Sequence, residues 1–241
     1  MPSMKTLHFR KPGWGTTLFM LVCLTLLLLL GGWQHKRLGW KTALLNRIET
    51  GLSAPLTPLP ATIDHPAAWE YRPVSVTGRF LHDKTMILHP RTHHDRPGGH
   101  VVTLFQPAEG LPVFVNRGWL PQEQQEFPRP AGDVTLTALI GKLPVAGTFT
   151  PPNSPEKEAW YWFEKAAADR HFNTSTRDYL LFVTEDDTQQ EKYPLPGQLR
   201  TEYPNDHFAY MLFWLGMAFT LIVVYILSHL SHEPPKEQDK T

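Results

Sequence analysis

Glu202–Leu227 reads "EYPNDHFAYMLFWLGMAFTLIVVYIL", with a histidine placed where an apolar run begins. From Phe208 to Ser228 the chain carries no charge and no histidine. That length is close to the roughly 20 residues that cross a hydrocarbon core about 30 Å thick. A second such run lies near the other end. Pro12–Gln34 is equally uncharged and includes "TTLFMLVCLTLLLLLGG". An amphipathic helix of a soluble protein keeps a polar stripe, and neither run has one. Two transmembrane helices therefore bracket the rest of the chain.

The expected division is a tail over 1–15, a span over 16–33, an extramembrane domain over 34–206, a span over 207–229 and a tail over 230–241. Lys5, Arg10 and Lys11 precede the first run as they would in a signal peptide. No small-residue cleavage site follows in "LLGGWQHKR", so an uncleaved anchor is expected. Lys36, Arg37 and Lys41 balance the cations before the first span, leaving the charge bias divided. The short tails, with Lys236 and Lys240 at the far end, favour both termini on the cytoplasmic or matrix side. The central domain is then periplasmic or in an intermembrane space. An Arg- and Ser-rich transit segment is absent before the first span, which favours a bacterial inner membrane over a mitochondrial one.

Composition excludes several functions. Cys23, the single cysteine, lies within the first apolar run. The central domain thus has no disulfide, no CxxC redox pair and no thiolate site for zinc or copper. Lys plus Arg and Asp plus Glu number 23 each, with no long basic run, so nucleic acid is not an expected partner. No Gly-rich phosphate loop, GxSxG elbow or HExxH is present. A non-enzymatic role is the expectation. A tethered hydrolase would need His82, Asp83 or Asp95 to converge, and no triad or carboxylate pair accompanies them.

Past Gly31–Gly32, Trp33, Trp40, Leu44 and Ile48 hold a helical period, so the first helix should leave the bilayer and end near Gly51. Trp33 and Trp40 suit an interfacial belt. "SAPLTPLPA" is a Pro-rich linker. Short alternating, half-buried strands are expected in "YRPVSVTGRF", "TMILHPR", "HVVTLFQ", "LPVFVNRGW" and "DVTLTALIGK", separated by Gly, Pro and Asp clusters, with "YLLFVTED" as the last strand. "AWYWFEKAAADRHF" (159–172) is the best helix between the spans. The whole is an α+β domain, an antiparallel curved sheet or partly closed barrel with one or two short helices, flanked by the N- and C-terminal membrane helices.

Four strings in order carry a family likeness. They are Gly32-Trp33-Gln34 with Arg37, Trp40-Lys41 and Leu44-Leu45; "YRPVSVTGRFLHDKTMILHPR" (71–91); "VNRGWLP" (115–121); and Asn205, His207, Tyr210 and Trp214. With two bracketing spans, this arrangement resembles the surfeit locus protein 1 family of cytochrome c oxidase assembly factors. Met211, Phe213, Thr85 and the histidine-rich "THHDRPGGH" depart from the family pattern. The resemblance implies work in haem–copper oxidase maturation beside the catalytic subunit and other assembly factors. In bacterial relatives it implies binding of haem a, with His207 as the contact to the haem iron.

The residues around His207 suit that implication. Asn205 or Asp206 is a good N-cap, and the helix dipole's positive end favours an uncharged imidazole in the first turn. An imidazole with a free lone pair is what haem iron accepts. His207, Tyr210, Met211 and Trp214 stand at i, i+3, i+4 and i+7, the spacing of one helical face. A plain aromatic belt accounts for Tyr210 and Trp214 equally well. Arg117 could grip a haem propionate or a partner carboxylate, or else stabilise its own turn or stack on Trp119. His82, His89, His93, His94 and His100 leave open a copper-delivery role, and a haem-independent scaffold is the remaining alternative.

Overall fold

The computed structural model describes residues 7–124, 126–186 and 193–232. The tail cations Lys5, Lys236 and Lys240, and the first part of the expected connector "QQEKYPLPGQLRTEYP", lie outside these residues. The chain divides into two compact units, Met1–Leu45 with Tyr203–Thr241, and Asn46–Glu202.

Strand β1 (Leu7–Phe9) leads to helix α1 (Trp14–Leu52), which belongs to the first unit as far as Leu45, and in the same unit the long helix α3 (His207–Ser228) leads to β8 (Leu230–His232). The short strands pair antiparallel, Leu7 opposite His232 and Phe9 opposite Leu230, in segments expected to be plain tails. Both helices are long and apolar enough to cross a membrane. They turn bulky apolar side chains outward along their length, Phe19 at 69% and Phe219 at 68% exposure among them. Hydrocarbon is the solvent in which such a surface is stable. Their hydroxyls are satisfied locally: Thr25 donates to the Leu21 carbonyl and Thr220 to that of Gly216, as an apolar medium requires.

The covered side chains of α1 recur at Thr17, Met20, Leu24, Leu27, Gly31, Gln34, Leu38 and Lys41, alternating three and four apart. Those of α3 recur at His207, Met211, Trp214, Ala218, Leu221 and Tyr225. This is the seam of two antiparallel helices packed side by side. At Gly31 a β-carbon would stand 3.3 Å from Leu215, so the missing side chain lets the helices approach. Thr17 Oγ1 and Tyr225 Oη meet at 2.7 Å near one end of the seam.

The second unit is built on β2 (Thr57–Pro58), β3 (Pro73–His93), β4 (Arg96–Pro107), β5 (Val113–Pro121), β6 (Val134–Gly141) and β7 (Leu180–Asp186), with helix α2 (Lys165–His171) before β7. The order is β2-β3-β4-β5-β7-β6, and β6 also pairs with β3, so the sheet curls into a partly closed ring. The two strands expected over 71–91 are one long β3, bent by a register shift between Leu81 and Thr85. Its first part pairs with β6 and its remainder with β4, which is how one strand bridges the ring. Not every neighbour is antiparallel as expected: β2–β3 and β5–β7 run parallel.

Apolar side chains line both faces. Val74, Val76, Phe105, Val115, Leu136, Ile140 and Leu181 belong to one core cluster. Met86, Leu88, Leu104, Phe114 and Leu180 form the other, with Trp160, Phe163 and Ala168 covering them. Strand β5 is therefore buried on both faces along its whole length, polar Asn116 and Arg117 included. Helix α2 starts six residues later than the sequence suggests, at Lys165 rather than Ala159. Trp160 instead bridges Leu88 in extended conformation, and Asn153 Oδ1 accepts the Tyr161 amide at 2.8 Å. A buried tryptophan and a side chain competing for its neighbour's amide outweigh local helix propensity.

Candidate functional site

His207 opens α3, at the end of the seam opposite the Thr17–Tyr225 pair. About 26 Å of helix rise separates the two levels, a length comparable to the thickness of a hydrocarbon core. The His207 ring is half-buried, and its Nδ1 lies 2.8 Å from Gln34 Oε1 on α1. An amide oxygen can only accept, so Nδ1 carries the proton and donates it. In a neutral ring the lone pair then resides on Nε2. Gln34 is 8% exposed, a polar side chain held inside the helix pair.

The residues expected to share a face with His207 divide. Met211 and Trp214 follow it along the seam, but Tyr210 stands outside the covered stripe at 55% exposure. A seam supercoils with a period of 3.5, and the i+3 position on this side of His207 turns outward. Trp214 packs beside Gly31 of α1, and its Nε1 is buried with no hydrogen-bond partner among the described residues. Asp206 occupies the N-cap position, yet neither it nor any other side chain makes a capping bond to this helix.

Cations lie one and two turns above Gln34 on α1. Arg37 sits over the Trp40 ring at 4.7 Å, and Lys41 over Tyr203 at the same distance. The donor set of this unit fits haem a. Its imidazole could supply one nitrogen to iron, exposed Trp33 and Tyr210 could offer apolar surface, and Arg37 and Lys41 could pair with propionates.

Arg117 does not reach outward. It is 2% exposed, donates from Nη1 to the Pro128 carbonyl at 2.8 Å, and lies over Phe80 at 4.6 Å and Phe127 at 5.6 Å. Its stacking partners are these phenylalanines rather than Trp119. The expected propionate or partner contact is replaced by an anchor within the sheet unit. The reason is a β-bulge: Val101 pairs with Gly118 and Val102 with Asn116, so Arg117 is the extra residue. Asn116 Oδ1 accepts the Gly118 amide at 3.1 Å and closes the bulge.

The five clustered histidines point to different partners. His82 Nε2 donates to the Pro130 carbonyl at 2.9 Å, and His89 Nδ1 to that of Gly98 at 3.1 Å. His93 and His94 contact each other edge to face. Among the described residues no three His, Cys, Asp or Glu side chains are grouped to hold a metal ion.

His100 is distinct. Asn116 Nδ2 donates to its Nδ1 at 3.2 Å. Burial, and secondarily the Arg91 charge, pushes it from 6.5 down to about 4. The unfolded chain therefore binds this proton at higher pH than the folded one, and stability falls as pH drops from about 6.5 towards 4. At pH 5 the loss is about 2 kcal/mol. Urea titrations of the full chain in detergent at pH 7 and pH 5 should show it, and His100→Gln should flatten the difference. Equal pH slopes in the two proteins would refute the assignment.

A family model described as the SURF1 family matches residues 21–219. Surfeit locus protein 1 of Mus musculus is 31% identical over 208 residues, covering 78% of this chain and 67% of the mouse protein. A SURF1-like protein of Monosiga brevicollis is 32% identical over 213 residues, 82% of this chain and 81% of its own. Surfeit locus protein 1 of Homo sapiens is 27% identical over 226 residues, 85% of this chain and 74% of the human protein.

Proposed function

The chain belongs to the SURF1 family, and on that premise we propose that it is a membrane-anchored assembly factor for cytochrome c oxidase, holding haem a at His207 for delivery to the catalytic subunit. The observation that carries the reading is the His207–Gln34 hydrogen bond, which commits Nδ1 to Gln34 and leaves Nε2 to a ligand. Haem a, when bound, supplies an iron that accepts one imidazole nitrogen and a macrocycle that prefers an apolar surface.

The residues of this chain do the rest. Gln34 orients the ring, outward aromatic side chains at the rim offer contact area, and Arg37 and Lys41 supply positive charge on the aqueous side. The work is binding and hand-over, without bond-breaking by the protein. The helix pair resides in a bacterial inner membrane in this reading, with the sheet unit on the periplasmic side.

Full-length protein purified from a haem-a-producing host is expected to carry a Soret band. His207→Ala should reduce it at least tenfold while leaving the protein folded. A wild-type protein free of haem, with oxidase assembly intact in His207→Ala, refutes the haem role. One observation favours the haem-independent scaffold: Tyr210 and Trp214 do not wall one face with His207. Co-purification with the oxidase catalytic subunit in the absence of any Soret band would establish that reading instead.

A further inference from the structure

We propose that Gln34 is a positioning residue for His207: its side-chain oxygen selects the Nδ1–H tautomer and so aims the Nε2 lone pair away from the helix seam. The inference deepens the haem reading and rests on it only for the consequence of that aim, not for the tautomer itself.

Three observations carry it. The first is geometric, the 2.8 Å contact between Nδ1 and an oxygen that has no proton to give. The second is burial. Gln34 is 8% exposed on the covered stripe of α1, where the apolar positions Met20, Leu24, Leu27 and Gly31 precede it at the same spacing. A buried amide oxygen on such a stripe is costly unless it accepts a hydrogen bond, so both partners hold this arrangement. The third is its place between elements. Gln34 lies on α1 and His207 on α3, so the ring's orientation depends on a residue of the other helix.

A histidine free in water favours the Nε2–H tautomer, which would bury the lone pair on Nδ1 against the seam. An acceptor at Nδ1 reverses that preference. Imidazoles that ligate metals commonly donate their other N–H to such an acceptor, which fixes the ring and raises the basicity of the ligating nitrogen. Here the acceptor is a neutral amide. It orients without adding a negative charge beside the iron, which suits a group that must later release its cargo.

The test uses full-length apo protein in detergent micelles, with 15N-labelled histidine and long-range 15N–1H correlation spectra. The His207 signal is identified among the 12 histidines by its loss in His207→Ala. Wild type is expected to show the Nδ1–H pattern, and Gln34→Glu, which retains an acceptor oxygen, should keep it. Gln34→Leu should convert most of the population to Nε2–H. Tyr225→Phe, which removes the other hydrogen bond across the seam, should leave the tautomer unchanged and so separates positioning from helix association.

An Nε2–H pattern in wild type, or no change in Gln34→Leu, overturns the proposal. In haem-loaded preparations, Gln34→Leu should lose at least fivefold in Soret intensity per protein and Gln34→Glu less than twofold. Because the tautomer is read without haem, a wild type that never binds haem would sink the proposed function while leaving the positioning role standing.

Discussion

Gly118→Ala should be among the most destabilising single-atom-scale changes in the sheet unit, lowering its stability by about 4 kcal/mol. Gly118 has φ +139, a region that L side chains rarely adopt. A β-carbon there would stand 2.2 Å from the Leu195 carbonyl oxygen and 2.9 Å from Pro196 N. Neither neighbour is the tip of a flexible side chain. Leu195 is tied to Trp119 by two backbone hydrogen bonds, amide to carbonyl in both directions, at 2.9 and 2.8 Å. Moving that segment aside breaks both bonds and lifts the cover from Trp119, which is 1% exposed.

Gly132 separates conformational strain from the clash. It has φ +83 with nothing within 4 Å of its added β-carbon, so Gly132→Ala should cost only about 1 kcal/mol. Urea titration of the full chain in detergent, followed by tryptophan emission, measures both. Equal midpoints for the two variants would mean that the Leu195 contact yields easily, contrary to expectation.

The bulge also shows what the sequence could and could not reveal. The string "LPVFVNRGW" reads as a strand, and that much is local chemistry. That Arg117 would be the bulged residue, turned inward over Phe80 and Phe127, depends on the register of β5 against β4, which no local pattern encodes. The strands of the ring are legible from alternation between Gly, Pro and Asp clusters, but burial of β5 on both faces comes from the ring's packing and not from that pattern. Their closure through β3–β6 was expected only as a curved or partly closed sheet, since register and edge pairing are long-range.

The start of α2 was misread for a similar reason. Residues 159–164 have helical propensity in isolation, but Trp160 is claimed by Leu88, more than seventy positions earlier in the chain. At the candidate site the position of His207 was legible from the onset of the apolar run. Gln34 stands in the resemblance as part of the string Gly32-Trp33-Gln34, without a partner. A signal was there: it continues the three-and-four spacing of the α1 stripe, where a polar residue needs a counterpart on the facing helix.

Arg177→Met should destabilise the sheet unit by about 3–5 kcal/mol, through loss of a buried cation that serves four acceptors. Arg177 is 7% exposed. Its Nε donates to the Leu111 carbonyl at 2.9 Å, Nη1 to the Pro60 carbonyl at 2.8 Å and the Tyr179 hydroxyl at 2.6 Å, and Nη2 to the Glu109 carbonyl at 3.1 Å. Three stretches distant in sequence meet on one guanidinium: the Pro-rich linker after α1, the turn between β4 and β5, and the approach to β7. Methionine matches the stem in length but strands three carbonyls and a buried phenol. Burial already pushes the Tyr179 hydroxyl above its ordinary value, with Arg177 opposing the rise, so removing the cation leaves that group less well solvated still.

Lysine is a poor substitute, since a single ammonium cannot present the fork that reaches carbonyls on three sides. Arg177→Lys should therefore recover less than half of the lost stability. Hydrogen exchange gives the local readout. Leu59 donates its amide to the Ser75 carbonyl at 2.8 Å, beside Pro60, and that amide should exchange at least tenfold faster in Arg177→Met. Amides at the centre of β5 should follow only the global loss. If Leu59 keeps its wild-type protection, the linker is held by β2–β3 pairing alone, and Arg177 contributes no more than burial of its stem.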